Sequence, residues 1–234
     1  MAQKPGLRAC KALTFDLFGT VLDLGGSLTP FLARFLKQKR SKVDATTVWE
    51  TWRARQRLEQ YQDSLLALGH SGYLETARRA LVYSLELHGV RAGQEDVAGV
   101  MAAWRELKPF PEVAAALKRL EKRYRLVALS NGEPWFLDHL ARNRIKYEFD
   151  EVISVNVAGV FKPHPAVYRS AAGILGLEPG EIIMVSANSF DVLGARACGY
   201  RGIYVNRYSL PYEDMPYRPD VTVKDFTEMV AALT

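Results

Sequence analysis

The chain has 234 residues, of which 48% are hydrophobic and 24% charged, and its formal net charge is +5. These values are typical of a globular enzyme, and the length suits one large core or a core domain with a smaller inserted domain. Lys and Arg are spread along the chain rather than gathered in one block. Nucleic-acid binding is therefore disfavoured, and a small anionic substrate is the favoured partner.

The cysteine content argues against a disulfide framework and against a zinc site. Only Cys10 and Cys198 are present, and they have no CxxC spacing, so the pattern predicts a reducing, cytoplasmic location. The first eight residues contain no long apolar stretch, and no later run reaches the length of a membrane span. We expect a protein in solution that does not bind membranes.

The first predicted strand covers residues 11–16 and ends in the carboxylate of Asp16, followed by a turn that contains Gly19. The carboxyl end of a strand is where open α/β sheets hold their ligands. Two residues after Asp16 stands the aromatic Phe18 rather than a second acid, which favours a nucleophile over a metal ligand. Taken alone, an Asp at a strand end is more commonly the cap of a turn or a helix.

The segment from residue 29 to residue 107 has helical periodicity, abundant Arg, Gln, Glu and Leu, and hardly any strand signal. Glycines at positions 69, 72, 89 and 93 divide it into about four predicted helices, and residues 108–111 (Lys-Pro-Phe-Pro) lead out of it. We predict a helical domain over residues 29–107, inserted into an α/β core domain formed by residues 1–28 and 108–234.

The C-terminal half alternates short apolar runs with stretches of helical length. The runs are residues 126–129, 151–155, 182–185 and 202–205, and predicted helices cover residues 165–175 and 189–198. Such alternation is typical of βα units on a parallel sheet. The predicted fold class is α/β, with a mainly parallel, Rossmann-like sheet.

Two polar clusters follow these predicted elements. Ser130 and Asn131 come directly after a strand and can both donate hydrogen bonds to an anion, although an ordinary turn explains them equally well. Lys162 precedes Pro163, which disfavours helical geometry at the lysine, so the ammonium is expected on an extended loop at a helix entrance. There it could neutralise a carboxylate, or it could be a surface lysine beside a Pro-rich turn.

A third cluster follows the apolar run that ends at residue 185. Ser186, Asn188 and Asp191 would point into the same crevice as the earlier clusters, and a second acid there could orient a water molecule. The alternative is a helix N-cap, a role that Ser189 or Asp191 could fill. Polar clusters at the ends of several strands nevertheless indicate one shared site.

The order of these clusters resembles the haloacid dehalogenase superfamily. The motifs are Asp16-x-x-Gly19-Thr20, Ser130-Asn131-Gly132, Lys162-Pro163 and Ser186-x-Asn188-x-x-Asp191. Within the superfamily, the last motif is most similar to that of the type II, or L-, 2-haloacid dehalogenases. The resemblance implies a Rossmann-like core and a helical cap domain inserted after the first strand.

Two departures from the superfamily's phosphatases bear on the chemistry. Phosphatases of this superfamily carry a general acid where this chain has Phe18, and a metal-binding Asp where it has Ala187. Without these acids, binding Mg²⁺ and protonating a leaving alcohol are both difficult. The resemblance therefore implies a dehalogenase that uses no metal ion and no other cofactor.

The implied reaction is hydrolytic dehalogenation of a small 2-haloalkanoic acid to a 2-hydroxy acid through an aspartyl ester. By resemblance Asp16 is the nucleophile and Thr20 steadies it. Lys162 supports Asp16 and the substrate electrostatically, with Ser186 as a hydrogen-bonding partner of Lys162.

The resemblance also assigns residues to the water, the substrate carboxylate and the halide. Asn188 and Asp191 would hold the hydrolytic water, with Asp191 as the base. Ser130 would bind the substrate carboxylate, and Asn131 would bind the departing halide. Three aromatic residues are candidate walls or orienting groups, although each could equally be core: Phe18, Tyr168 and Phe190.

In this family an Arg on the helical insertion also binds the halide. Here the segment Trp52-Arg53-Ala54-Arg55-Gln56-Arg57 resembles the family's pattern with one residue too many. We prefer Arg53, which follows the Trp. Arg55 is the alternative, and Arg53, Arg55 or Arg57 could each belong to a solvated helix face.

Other functions remain open at this stage. A related hydrolase that removes fluoride or opens a small strained ring would need the same Asp16 chemistry. A Mg²⁺-dependent phosphatase and a non-catalytic binding protein with the same fold are further alternatives. A homodimer is expected by resemblance, through the helical insertion.

Overall fold

A computed structural model of the chain describes residues 6–67 and 69–234. The first five residues of the predicted core segment 1–28, and residue 68 of the predicted insertion, lie outside these ranges. Among the helices described, none is long and apolar enough to cross a membrane.

The strands form one large sheet and one short ribbon. They are β1 (Ala12–Phe15), β2 (Leu22–Asp23), β3 (Lys108–Pro109), β4 (Arg125–Ser130), β5 (Glu151–Ser154), β6 (Ile182–Ser186), β7 (Arg201–Val205) and β8 (Val221–Val223). In the described ranges, six strands form the large sheet in the order β5-β4-β1-β6-β7-β8, and all of its neighbours are parallel. The predicted α/β class with a mainly parallel sheet is confirmed.

The apolar runs of the sequence form the strands of the sheet, and they are apolar throughout because both faces of the sheet are buried. Every residue of β1 and β6 is buried, which is the pattern expected where helices cover a parallel sheet on both sides. The edge strand β8 was not predicted, because its three residues include an exposed Thr222 and are too few for a clear signal.

Helices connect these strands. They are α1 (Leu24–Gln38), α2 (Ala45–Leu66), α3 (Tyr73–Leu87), α4 (Gln94–Ala102), α5 (Val113–Leu120), α6 (Pro134–His139), α7 (Pro165–Leu175), α8 (Ser189–Ala197) and α9 (Phe226–Leu233). The first four lie between β2 and β3, as the periodicity of that segment predicted. The longest, α2, begins after Asp44, whose carboxylate accepts hydrogen bonds from the backbone N–H groups of Thr46 and Thr47.

The helical segment is joined to the sheet by two adjacent strands. β2 and β3 pair in antiparallel fashion, with Leu22 opposite Pro109 and Asp23 opposite Lys108. Because α1 already begins at Leu24, the predicted boundary after residue 28 falls inside that helix. The chain thus enters and leaves α1–α4 at one place beside the carboxyl edge of the sheet.

Aromatic packing holds α3 against that edge. The ring of Phe18, just after β1, stacks on the ring of Tyr73 with centroids 4.0 Å apart. Two hydrogen bonds add to this contact: Leu74 N–H donates to Glu133 Oε1 at 3.0 Å, and Phe161 N–H donates to Ser64 Oγ at 3.0 Å. Helices α2 and α3 therefore cover the edge of the sheet where the predicted site residues lie.

Candidate active site

Asp16 is the first residue beyond β1 and is only 5% exposed. Its backbone N–H donates to Val185 O at 3.0 Å, which continues the pairing with β6. Gly19 then adopts a φ of +87°, a conformation that favours glycine, and the chain turns back. The turn brings the Thr20 hydroxyl to the carboxylate, where it donates to Asp16 Oδ2 at 2.8 Å.

The two oxygens of Asp16 have different surroundings. Oδ2 accepts a second hydrogen bond, of 2.9 Å, from the side-chain amide of Asn188. Oδ1 faces the ammonium of Lys162 at 3.7 Å, which is beyond ordinary hydrogen-bond distance. Oδ1 therefore keeps lone pairs that an electrophile can reach, while Oδ2 is held in place.

Lys162 lies on the loop before α7, as Pro163 predicted, and is 1% exposed. Its ammonium donates to Leu129 O at 2.5 Å and to Asp191 Oδ2 at 2.9 Å, and it also faces Asp16. Two of its three N–H groups are thus hydrogen-bonded, and the third is left to the side that faces Asp16. Because the two carboxylates are themselves buried, the ammonium compensates charges that would otherwise be costly.

Asp191, in the first turn of α8, is the second buried carboxylate, at 1% exposure. Burial raises its pKa to about 6; Lys162 opposes this shift, whereas the neighbouring Asp16 adds to it. Tyr168 donates to Oδ1 of Asp191 at 2.8 Å. Asp191 is therefore ionised at neutral pH and becomes protonated below about pH 6.

These groups surround one narrow cavity between the sheet edge and α2 and α3. The cavity is lined by Asp16, Phe18, Arg53, Arg57, Gln60, Tyr73, Asn131, Lys162, Asn188, Phe190 and Asp191. Most of the predicted site residues are in this set. Four are not: Thr20, Ser130, Tyr168 and Ser186.

Thr20 and Tyr168 lie behind the cavity rather than on its wall. Thr20 holds Asp16, and its hydroxyl accepts a hydrogen bond from Ala187 N–H at 2.8 Å. Tyr168 is fully buried and holds Asp191. Tyr168 is thus not a wall of the cavity, because its place on α7 directs it at the inner side of that carboxylate.

The predicted hydrogen bond between Ser186 and Lys162 is wrong for the described part of the chain. Ser186 is the last residue of β6, and its hydroxyl accepts a hydrogen bond from Asn188 N–H at 3.1 Å. This contact shapes the turn that aims the Asn188 amide at Asp16. The ammonium of Lys162 instead binds the carbonyl of Leu129.

Ser130 and Asn131 follow β4, but they differ in access to the cavity. The Ser130 hydroxyl is fully buried and has no hydrogen-bond partner among the described residues. Asn131 lines the cavity, and its amide group donates to Gln60 Oε1 of α2 at 3.3 Å. Its carbonyl oxygen accepts from Lys162 N–H at 3.1 Å, which fixes the loop that carries the lysine.

The three arginines of α2 point in two directions. Arg53 and Arg57 both line the cavity. Arg55 faces away, where it forms an ion pair with Glu59 at 2.7 Å and lies over the ring of Tyr83. Because successive positions i and i+4 share a helix face and i+2 does not, the helix itself separates Arg55 from the other two.

Sequence reasoning missed Gln60 and Tyr73 as cavity residues. Gln60 is 4% exposed and lies seven positions after Arg53, hence on the same face of α2. A polar stripe along one helix face was therefore the available signal. Tyr73 has no comparable signal, because its position follows from how α3 packs on Phe18.

Two positions at which phosphatases of the superfamily carry acids hold apolar residues in this chain, and the structure gives both of them apolar or buried surroundings. Phe18 is packed among Tyr73, Trp104 and Phe136, and Ala187 is buried beside Thr20. Across residues 6–67 and 69–234, the structure brings together no group of three or more His, Cys, Asp or Glu residues that could hold a metal ion.

Comparison with known proteins agrees with this geometry. The family model for haloacid dehalogenase-like hydrolases matches residues 10–199, which include every motif residue described above. The chain belongs to this family. As a haloacid dehalogenase-like hydrolase, it places an Asp after the first strand, a Lys before a helix and a second Asp after a later strand around one cavity.

Two curated relatives of this hydrolase match over most of their length. Haloacetate dehalogenase H-2 of Moraxella sp. (strain B) is 29% identical over 93% of this chain and 95% of its own. The (S)-2-haloacid dehalogenase of Xanthobacter autotrophicus is 32% identical over 85% of this chain and 76% of its own.

Solved structures are similar in fold over nearly the whole hydrolase. An L-2-haloacid dehalogenase superposes with a TM-score of 0.87 at 25% identity and covers 96% of this chain and 99% of its own. The L-2-haloacid dehalogenase of Xanthobacter autotrophicus with chloropropionic acid covalently bound gives a TM-score of 0.81 at 27% identity, covering 95% and 97% respectively.

Proposed function

We propose that this hydrolase converts short 2-haloalkanoic acids into 2-hydroxy acids through an ester formed on Asp16. The observation that carries the proposal is the asymmetry of this carboxylate: Oδ2 is held by Thr20 and Asn188, whereas Oδ1 faces only the Lys162 ammonium beside the cavity. The related enzyme with chloropropionic acid covalently bound supports the same route.

In the first step, Oδ1 of Asp16 attacks C2 of the substrate from the side opposite the halogen. A carbon–oxygen bond forms as the carbon–halogen bond breaks, and the halide leaves with the bonding electron pair, so the configuration at C2 is inverted. Developing charge on the halide needs cationic or N–H donors. Arg53 is the donor we assign to it, since it lines the cavity and packs beside Tyr73.

In the second step, water attacks the carbonyl carbon of the ester. Asp191 accepts the water proton, the bond between Cγ and Oδ1 breaks while Oδ1 stays on C2, and the proton passes to Oδ1 of the departing 2-hydroxy acid. One oxygen of Asp16 is thereby replaced by the oxygen of water. After esterification, Oδ2 is the carbonyl oxygen. Thr20 and Asn188 already donate to that oxygen, so they stabilise the negative charge that develops there.

The cavity favours small substrates. Its volume is about 20 Å³, which is room for about one water molecule. Side chains around the cavity must therefore rearrange to admit a haloacid, and each added methylene group increases the cost of that rearrangement. We propose that halogenated acetates and propionates are turned over faster than longer acids.

A phosphatase is disfavoured by the residues around Asp16. Phe18 and Ala187 supply neither a general acid for a leaving alcohol nor a carboxylate for Mg²⁺.

Halide release from a substrate panel tests the proposal. Chloroacetate, both enantiomers of 2-chloropropionate, 2-bromopropionate, fluoroacetate and p-nitrophenyl phosphate with Mg²⁺ would be compared, with Asp16→Asn as the inactive control. We expect halide from the chlorinated or brominated acids and no Mg²⁺-dependent phosphatase activity. Release of fluoride alone would favour the defluorinating alternative, and no halide from any acid would overturn the proposal.

We also propose that the protein acts in the cytoplasm as a homodimer with helices α2 and α3 at the interface. Two free cysteines, Cys10 and Cys198, fit a reducing compartment.

The proposed dimer interface is argued from exposed apolar side chains on helices α2 and α3. These side chains are Leu58, Leu65, Leu66, Tyr83 and Leu87. Light scattering would give the mass in solution, and Leu65→Glu should shift it to that of the monomer.

A further inference from the structure

Two guanidinium groups reach the same cavity without a carboxylate partner. Arg53 and Arg57 stand one helical turn apart on α2 and both line the cavity. In the ranges that the structure describes, neither arginine lies within ion-pair distance of an acidic side chain, although Arg55 between them pairs with Glu59. With Lys162 the two cavity arginines make three positive charges against the two carboxylates of Asp16 and Asp191, so the cavity lining has a net charge of +1 and neither guanidinium is directly paired within the described residues.

The proposed reaction, on which this inference rests, places two anionic groups in that cavity. The substrate carboxylate is charged throughout, and the halide becomes charged as its bond to carbon breaks. Lys162 cannot serve both, because two of its three N–H groups are taken by Leu129 O and Asp191 Oδ2, which leaves at most one donor for two anions. Breaking one of these contacts would leave a buried acceptor or carboxylate without its partner, which is costly.

The two arginines differ in how they are held. Arg53 is half-buried and donates to the Gln56 side chain and to the Tyr73 hydroxyl, the latter at 3.4 Å. Tyr73 in turn stacks on Phe18, two residues from the nucleophile. Arg53 is therefore fixed in place, as a donor to charge that develops only during the reaction should be.

Arg57 lies nearer to solvent, over the ring of Phe190 with 5.9 Å between the guanidinium carbon and the ring centroid. Partial burial of the guanidinium lowers the pKa of Arg57, and the neighbouring Arg53 lowers it further. Two like charges side by side favour the arrival of anions. A cation that lines the cavity and is also exposed to solvent suits an anion that enters from water already charged.

We propose that Arg57 binds the carboxylate of the haloacid substrate, while Arg53 receives the halide. Arg57 is then a substrate-binding residue that contributes equally to the bound substrate and to the transition state. Loss of a residue that binds substrate and transition state equally raises KM, whereas loss of a donor to charge that develops in the transition state lowers kcat.

Three glutamine variants of α2 separate these roles: Arg57→Gln, Arg53→Gln and, as the outward-facing control, Arg55→Gln. Propionate serves as a carboxylate without halogen, and bromide as a halide without carboxylate. We expect Arg57→Gln to weaken the binding of propionate, measured by calorimetry. The same variant should raise KM for 2-chloropropionate by about tenfold or more, because a charge-assisted hydrogen bond to the carboxylate is lost. Bromide inhibition should change by less than about twofold, since Arg53 is intact.

For Arg53→Gln we expect the converse, with weaker bromide inhibition and lower kcat. Arg57→Lys keeps the charge and should recover part of the propionate affinity, and Arg55→Gln should match the wild type. Unchanged propionate affinity and KM in Arg57→Gln would overturn the inference, as would a loss of bromide rather than propionate affinity. If the wild type releases no halide, the proposed reaction fails instead, while propionate calorimetry still tests Arg57.

Discussion

The side-chain amide of Asn188 donates a 2.9 Å hydrogen bond to Oδ2 of Asp16, across a sequence separation of 172 residues. The contact exists because β1 and β6 are adjacent parallel strands whose carboxyl ends lie side by side. It leaves the other carboxylate oxygen free to attack. It also prepares a donor for the carbonyl oxygen of the ester that such an attack would form.

Replacing this amide by a carboxylate tests its role. In Asn188→Asp, a donor to Oδ2 is exchanged for a second negative charge, so hydrolysis of the ester should slow by about a hundredfold or more. Mass spectrometry during turnover should then detect accumulated ester. Thr20→Ser is the control, because it retains the hydroxyl that donates to Oδ2, and its activity should stay near the wild-type value. Wild-type turnover in Asn188→Asp would contradict the role of the Asn188 amide as a donor to the ester carbonyl.

The rate should depend on the ionisation of Asp191. Burial raises the pKa of this carboxyl to about 6, and only the ionised form can accept a proton from water. We expect kcat to be flat near neutral pH and to fall about tenfold per pH unit below pH 6. A profile measured in mixed buffers that stays flat well below this value would exclude Asp191 as the base.

Lys162→Met should destabilise the fold because it leaves two buried carboxylates without compensation. We expect a loss of about 3–5 kcal/mol in the free energy of unfolding at neutral pH, measured with urea. The folded state raises the pKa of Asp191 above its unfolded value, so ionisation of this group costs stability as pH rises through that pKa. The deficit should therefore shrink in acid.

Lys118→Met is the matched control for that experiment. Lys118 is exposed on α5 and pairs with Glu121 at 3.5 Å, so its removal should cost less than about 1 kcal/mol at any pH. Equal losses in the two variants would contradict the role of the buried ammonium.

Phe18→Asp would introduce an acid where phosphatases of the superfamily have one. The new carboxylate would lie among aromatic rings, since Phe18 stacks on Tyr73 at 4.0 Å. We expect a loss of about 3 kcal/mol or more in unfolding free energy, without Mg²⁺-dependent phosphatase activity. Phe18→Leu is the apolar control; phosphatase activity in the Asp variant would show that one acid suffices.

Local sequence patterns were enough to predict five of the six strands of the sheet and the polar residues that follow them. Asp16 and Asn131 come at the ends of apolar runs, Lys162 lies on the loop before α7 and Asp191 in the first turn of α8; parallel strands bring their carboxyl ends, and the turns that follow them, to one edge. The predicted helix over residues 165–175 has the observed bounds, since Pro163 and Pro165 mark its entrance and Gly176 its end.

Side-chain contacts between segments that are distant in the sequence could not be predicted from local sequence patterns. Which of Arg53, Arg55 and Arg57 faces the cavity depends on how α2 is rotated on the sheet edge. Ser186 was assigned to Lys162, but the short turn after β6 gives its hydroxyl a nearer partner in Asn188. Likewise Tyr168, which is fully buried on α7, donates to Asp191 from behind the cavity, and the sequence gives no signal for this contact between two helices.

The central claim is that an oxygen of Asp16 forms a bond to carbon. A single turnover in water enriched in oxygen-18, with enzyme in excess over 2-chloropropionate, tests it directly. We expect the label in the peptide that contains Asp16 and unlabelled oxygen at C2 of the lactate formed, as measured by mass spectrometry. Label found only in the lactate would mean that water attacks the substrate directly, and would contradict the ester route.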